Sequence, residues 1–375
     1  MTLRRQVLAA ACAIALPLGA GAARAQQVPS TDPDYPRGRI SGLVFGDLYY
    51  NVVGDPEHRY NSSGADSGLA NIDGSTLPSG TPRNVTQDLN GIQIRRIYIQ
   101  GDNDLSAKVS TRWRFETDSK ELTTPGLKIS TFIKNAYVQV KNVVPGGNAL
   151  FGMLTTPIFE TADEAWGYRP IEKTIADFRG LASSSDLGIQ MKGFVDANHR
   201  IGYSAMVGTG TGQRPENNRY KRYYLAVPLR LIEGFTLEPY VDYEDFPSVA
   251  ERATYKALAA YEFRKFAIGS EVVSQVRHVS GATTEPFGLS VFARGKMGTT
   301  LSGYARFDRW QTDTRAANRV DSDLYIAGLD WEPLKDVHLM PNVEATQYHA
   351  RGTAVSPPTH DLQARITVYY RWAKP

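Results

Sequence analysis

The sequence predicts an all-β chain, a transmembrane antiparallel β-barrel of about 16 strands. Three observations carry this. Apolar and polar residues alternate with a period of two along most of the chain. Short and long connections alternate between the periodic stretches. The first residues read as an export signal.

The alternation is plainest at three places. In 105–116, Leu105, Ala107, Val109, Thr111, Trp113 and Phe115 share one face, and Ser106, Lys108, Ser110, Arg112, Arg114 and Glu116 the other. Residues 221–231 and 361–372 repeat the pattern. A helix would mix the two sets; a strand separates them. The same reading along the chain places strands at 39–52, 90–102, 105–117, 132–141, 148–154, 186–196, 199–208, 221–232, 234–245, 254–264, 266–276, 287–297, 299–309, 322–332, 336–348 and 361–373. Mean hydropathy is negative. That fits a barrel whose lipid-facing positions are diluted by polar inner ones.

Tight turns are expected near Asn103, Ala197-Asn198, Glu233-Gly234, Lys265 and Gly298. Long segments lie between them at 53–89, 118–131, 155–185, 209–220, 246–253, 277–286, 310–321 and 349–360. Bacterial outer-membrane barrels have this sidedness, with short periplasmic turns and long external loops. Tyr49, Tyr50, Trp113, Tyr223, Tyr243, Tyr255, Phe263, Phe307, Trp331, Tyr370 and Trp372 gather toward strand ends. Interfacial aromatic girdles are expected there.

At the N-terminus, Arg4 and Arg5 precede an apolar run from Val7 to Leu18, and Ala23-Arg24-Ala25 fits a cleavage site. Residues 1–25 are therefore read as a signal peptide. Residues 26–375 are read as one barrel domain, with 26–38 as its leader. Of 42 basic residues the signal holds three, so the remainder balances 39 acidic ones. A nucleic-acid partner is not expected from that balance. Electrostatic preference must come from where charges sit. Cys12, the one cysteine, lies in the signal. The six histidines show no metal-ligand spacing. No cofactor, metal or catalytic constellation is expected. Gly208-Thr209-Gly210-Thr211-Gly212 lacks the Lys-Ser/Thr of a phosphate loop.

The segment 155–185 combines charges with aromatic rings: Glu160, Asp163, Glu164, Arg169, Lys173 and Arg179 with Trp166 and Tyr168. A solvated loop needs no such rings, whereas a loop folded into a barrel mouth packs them on the wall and turns its charges to the pore. These eight residues are read as a constriction loop. On the wall, Arg96, Lys108, Arg112, Arg114, Lys192, Arg294 and Arg306 are read as pore-lining. Arg95 and Arg96 are adjacent, so alternation sends one of them away from the lumen. Arg96 is assigned inward, with Tyr98 and Gln100, and Arg95 to the rim.

The stretch 92–195 resembles the phosphate-selective porin O/P family. The resemblance rests on Arg95-Arg96-Ile97, Ala136-Tyr137, Gly152 before Pro157, and the run from Trp166 to Gly188 containing RPIEKTIADFRGLASSSDLG. It implies an outer-membrane porin of a Gram-negative bacterium. Such a porin has sixteen strands, is usually trimeric, and has its third loop in the channel. It would pass small hydrophilic solutes, among them anions such as phosphate. The alternative is an outer-membrane barrel that serves adhesion, structure or catalysis. Outer-membrane lipid is the expected surrounding.

Overall fold

In the computed structural model, residues 34–54, 85, 87–118, 131–246, 250–353 and 360–373 are described. The chain divides into Met1–Tyr35 and Pro36–Pro375. The first unit contributes only Asp34 and Tyr35, and the second contains every strand. The expected signal peptide and most of the 53–89 and 118–131 segments lie outside the described residues.

The strands are β1 Arg37–Val53, β2 Asn90–Asp104, β3 Val109–Asp118, β4 Phe132–Val144, β5 Gly147–Thr155, β6 Ser185–Phe194 and β7 Gly202–Gly208. β8 comprises Arg222–Ala226 and Leu229–Ile232, and is followed by β9 Phe235–Phe246, β10 Ala250–Phe263 and β11 Phe266–Val279. β12 comprises Ala282–Thr284 and Phe287–Lys296, and is followed by β13 Leu301–Gln311, β14 Arg319–Leu334, β15 Val337–Arg351 and β16 Asp361–Trp372. Helices α1 Glu160–Trp166 and α2 Ile175–Phe178 lie between β5 and β6. Pro228 and Pro286 stand in the two interrupted strands, where a residue without an N–H cannot serve the ladder.

Each strand pairs antiparallel with its neighbour in sequence, and β1 also pairs with β16, from Gly42 opposite Trp372 to Val53 opposite Leu362. The sheet is therefore a closed sixteen-stranded barrel without an edge. Hydropathy fixes the faces. On β11, Ile268 and Val272 are exposed, while Ala267, Glu271, Val273 and Gln275, which alternate with that face, are buried. Outside, apolar side chains stand exposed; inside, polar ones are buried. Only a barrel whose outer solvent is lipid satisfies that inversion.

The strand positions agree with the alternation to within a few residues, with three instructive differences. First, β2 runs on to Asp104 and the turn is Leu105 to Lys108, so Lys108 is not on a strand. Ser106 Oγ accepts the N–H groups of Lys108 and Val109 at 3.3 and 3.1 Å, a local bond that closes the turn. Second, Tyr49 is buried on the inner face rather than standing in a girdle; Tyr50, Tyr255, Trp331 and Tyr370 are exposed. Third, β10 and β11 each extend several residues beyond the alternating stretch and carry Arg252 and Arg277 inward.

Gly152 is among the tight positions in the wall, and it also has a positive φ. Its φ is 134°, and a Cβ there would sit 2.2 Å from the carbonyl oxygen of Ala136 on β4. Gly152→Ala should destabilise the folded barrel by about 2 kcal/mol or more. Gly298→Ala, where a Cβ meets nothing within 4 Å, should stay within about 0.5 kcal/mol of wild type. Thermal unfolding in detergent checks both; equal stabilities would refute this account of Gly152.

Candidate functional site

The segment 156–184 sits on a dense set of inner-wall contacts. Its backbone is mostly irregular, so its carbonyls need donors from elsewhere. Wall side chains supply them. Arg95 on β2 donates to Ile171 O at 2.7 Å and Pro170 O at 3.2 Å. Arg306 on β13 donates to Lys173 O at 2.5 Å. Lys256 on β10 donates to Ile158 O. Gln275 on β11 donates to Leu181 O at 2.8 Å. Within the segment, Trp166 Nε1 donates to Glu172 O at 2.9 Å.

Each cation in this set also holds a carboxylate. Arg95 lies 3.2 Å from Glu172 and 3.5 Å from Asp47, Lys256 lies 2.9 Å from Glu238, and Arg306 pairs with Asp308. Such pairing is what makes a buried charge tolerable. Apolar side chains complete the seat. Ile158, Phe159 and Ile175 join Tyr240, Val273 and Trp310 in one cluster; Trp166, Tyr168 and Phe178 join Leu258, Phe292 and Ile326 in another. Burying each such side chain contributes about 1.5–3 kcal/mol.

The opposite side of the segment borders a cavity of about 900 Å³. Asp163, Arg169 and Asp177 face it from the segment, and Arg96, Tyr98, Arg114 and Lys134 from β2–β4. Two bulges build this wall. Phe45 pairs with Arg96 and Gly46 with Ile94, which leaves Arg95 as the extra residue. Arg114 pairs with Asn135 and Phe115 with Ile133, which leaves Lys134 as the extra residue. A bulge lets two neighbouring side chains point the same way. Arg95 and Arg96 are both buried, at 6% and 4% exposure, so the expectation that Arg95 goes to the rim is wrong.

The charges here interlock. Glu116 lies 2.9 Å from Arg96 and 3.0 Å from Lys134. Tyr98 stands between the guanidinium groups of Arg96 and Arg114, at 5.3 and 4.9 Å from its ring centre. Arg114 donates to Gln100 Oε1 and has no carboxylate within 4.0 Å among the described residues. On the segment, Arg169 donates to Asp177 at 2.9 Å. Burial alone would raise Asp177, but Arg169, Lys173, Lys134 and Arg96 hold it down at about 2. Asp163 goes the other way: burial lifts it above the usual carboxylate range, against the pull of Arg169.

The remaining predicted residues are distributed as follows. Arg112 lies beside Asp102 at 2.6 Å, one step along β3 from Arg114. Lys192 meets Glu160 at 3.0 Å, and Glu164 meets Arg230 at 3.3 Å. Arg294 pairs with Glu262 and donates to Ala165 O at 3.2 Å. Trp166, Tyr168, Lys173 and Arg179 are buried, with Arg179 over the Phe178 ring. Two wall assignments fail. Lys108 is exposed in a turn, and Arg306 is spent beneath the segment rather than lining the cavity. Sequence reasoning missed Lys134. Its signal was the polar pair Lys134-Asn135, which breaks the alternation as Arg95-Arg96 does. It also missed the glycine-rich loop's partner. Gly210 and Gly212 donate their N–H groups to the Asp186 carboxylate at 2.8 and 3.2 Å, joined by Thr209 Oγ1 at 2.8 Å.

No family model matches the sequence, and no curated protein matches it. Solved structures do. The outer membrane channel DcaP of Acinetobacter baumannii is 10% identical, with a TM-score of 0.62 over 90% of this chain and 97% of that one. OmpT of Vibrio cholerae is 12% identical, with a TM-score of 0.59 over 90% and 98%. An anion-selective porin from Comamonas acidovorans is 10% identical, with a TM-score of 0.59 over 90% and 100%. At such identities the likeness shows the fold, that of the outer-membrane barrels.

Among the described residues, Glu116 is the one carboxylate that Arg96 and Lys134 share within 3.0 Å. Glu116→Gln should lower stability by about 3–5 kcal/mol, the cost of leaving buried charge uncompensated. Thermal unfolding measures it, and a variant as stable as wild type would overturn the network described here.

Proposed function

We propose that this chain is an outer-membrane porin that passes small hydrophilic solutes by diffusion and prefers anions. In this reading, segment 156–184 folds into the lumen and narrows it, leaving the passage along the β2–β4 wall. The observation that carries the proposal is the charge around the cavity. Nine cations line it, Arg96, Arg114, Lys134, Arg169, Arg264, Lys265, Arg294, Lys296 and Arg371, against five carboxylates, Asp163, Asp177, Glu262, Asp330 and Glu332. A ring of fixed charge at a constriction selects the opposite sign. The segment's donors come from strands spread around the barrel, β2, β10, β11 and β13, which supports a position across the lumen.

The anion selectivity named for the Comamonas porin fits this reading. Phosphate is one candidate solute, favoured by the sequence resemblance. A homotrimer is proposed by the same resemblance, and a Vibrio OmpT structure is described as a trimer form. Export by a cleaved signal peptide follows from the first 25 residues.

In planar bilayers under a salt gradient, the reversal potential should show anion preference. Arg114→Gln should reduce the anion-to-cation permeability ratio about fivefold, the effect of roughly 1 kcal/mol from one wall charge near a passing ion. Cation preference in the wild type would sink the proposal. Anion preference should also rise as pH falls, because Asp163, which burial holds above the usual carboxylate range, is protonated before Asp177, which stays charged down to about pH 2. Asp163→Asn should flatten that rise; an unchanged pH profile in the variant would remove Asp163 from the account.

A further inference from the structure

Rings as well as charges border the cavity beside segment 156–184. Tyr98 on β2, Phe45 on β1, Tyr369 on β16 and His338 on β15 line it from the wall, and Tyr168 lines it from the segment. The four wall rings stand on consecutive strands because the register brings them level. Phe45 is opposite Tyr369, and Tyr369 is opposite His338. Tyr98 is opposite Leu43, the inward residue two before Phe45. Neighbouring strands lie about 4.8 Å apart, so the row spans about 14 Å of wall. Phe45 and Tyr369 meet edge to face at 6.4 Å between ring centres, and His338 stacks on Tyr369 at 5.2 Å. Phe45 is buried beneath the Arg96 guanidinium at 5.6 Å, whereas Tyr98 and Tyr369 are half-buried. The row is polarised. At its β3 end Arg114 lies over Tyr98. Arg114 Nε and Nη2 both donate to Gln100 Oε1, and Nη1 has no partner among the described residues. At the other end His338 lies 2.8 Å from the Asp330 carboxylate.

We infer that this cavity selects aromatic carboxylates of the benzoate class, with the carboxylate at Arg114 and the ring against Tyr98 and Tyr369. The inference rests on the porin reading for transport but not for binding. A small inorganic anion uses only the cationic end of the row, since it has no apolar face to lay on the rings. A planar aromatic acid uses both parts. Its carboxylate takes the open nitrogen of Arg114 as a charge-assisted hydrogen bond. Its ring packs offset or edge to face on the tyrosines, the arrangements that ring quadrupoles favour. Asp330 repels a carboxylate at the far end, which fixes the direction of the guest. A cavity of about 900 Å³ has room for such a body.

The test compares benzoate with cyclohexanecarboxylate, which carries the same charge on a body of similar size but has no π face. In planar bilayers holding the full mature protein, benzoate should half-block the chloride current at about fivefold lower concentration. Tyr369→Leu and Tyr98→Leu should each abolish that preference, and Tyr369→Phe should keep it. Equal block by the two acids in the wild type, or a preference that survives either leucine substitution, overturns the proposal. If the folded protein carries no current at all, the porin reading fails, and the site is then judged by equilibrium binding. Fluorine NMR of para-fluorobenzoate with detergent-solubilised protein should show line broadening that Tyr369→Leu removes. Equal broadening by wild type and variant, or none by either, would overturn the site on its own.

Discussion

Every other feature of this molecule depends on the pairing of β1 with β16. A bilayer offers no acceptor for an unpaired N–H, so an open sheet of this length could not exist there. Closing the ladder from Gly42–Trp372 to Val53–Leu362 removes both edges. It also creates two solvents, lipid outside and a polar interior within. Ordinary sequence alternation then reads as an inverted protein, with apolar residues exposed and charged residues buried.

Inside that wall, buried charge serves two purposes that composition cannot separate. Arg95, Lys256 and Arg306 each hold at least one carboxylate and at least one backbone carbonyl of segment 156–184, so they act as fixed struts. Arg96, Arg114 and Lys134 border the cavity instead, stacked on rings or sharing a carboxylate. A count of inward arginines would treat the two groups alike. The geometry separates these six by whether a loop carbonyl lies within reach, while Arg294, which donates to Ala165 O and borders the cavity, belongs to both groups.

This division explains what was legible from the residues alone. The strands were, because a period of two over ten or more residues admits few other readings. Arg112 and Arg114 were placed on the inner face because their neighbours alternate cleanly, and Arg96 because Ile97, Tyr98, Ile99 and Gln100 alternate after it. Arg95 and Lys134 were not, because a bulge adds a residue where the pattern appears only to fail. Arg252 precedes and Arg277 follows the alternating stretches read as β10 and β11. The seat of segment 156–184 was also hidden. Leu258, Val273, Phe292 and Ile326 are apolar on the inner face, against the usual rule, because they face the segment rather than water.

The two bulges have a consequence beyond the positions of Arg95 and Lys134. A substitution that adds lumen charge must displace a side chain already packed there. An inserted residue at a bulge need not. It adds a cation while the flanking pairs keep their register, as Phe45–Arg96 and Gly46–Ile94 do around Arg95. The lipid face and strand number stay as they were. Lumen charge in such a barrel is thus free to evolve by single-codon insertion and deletion, independently of the constraints that keep the wall closed.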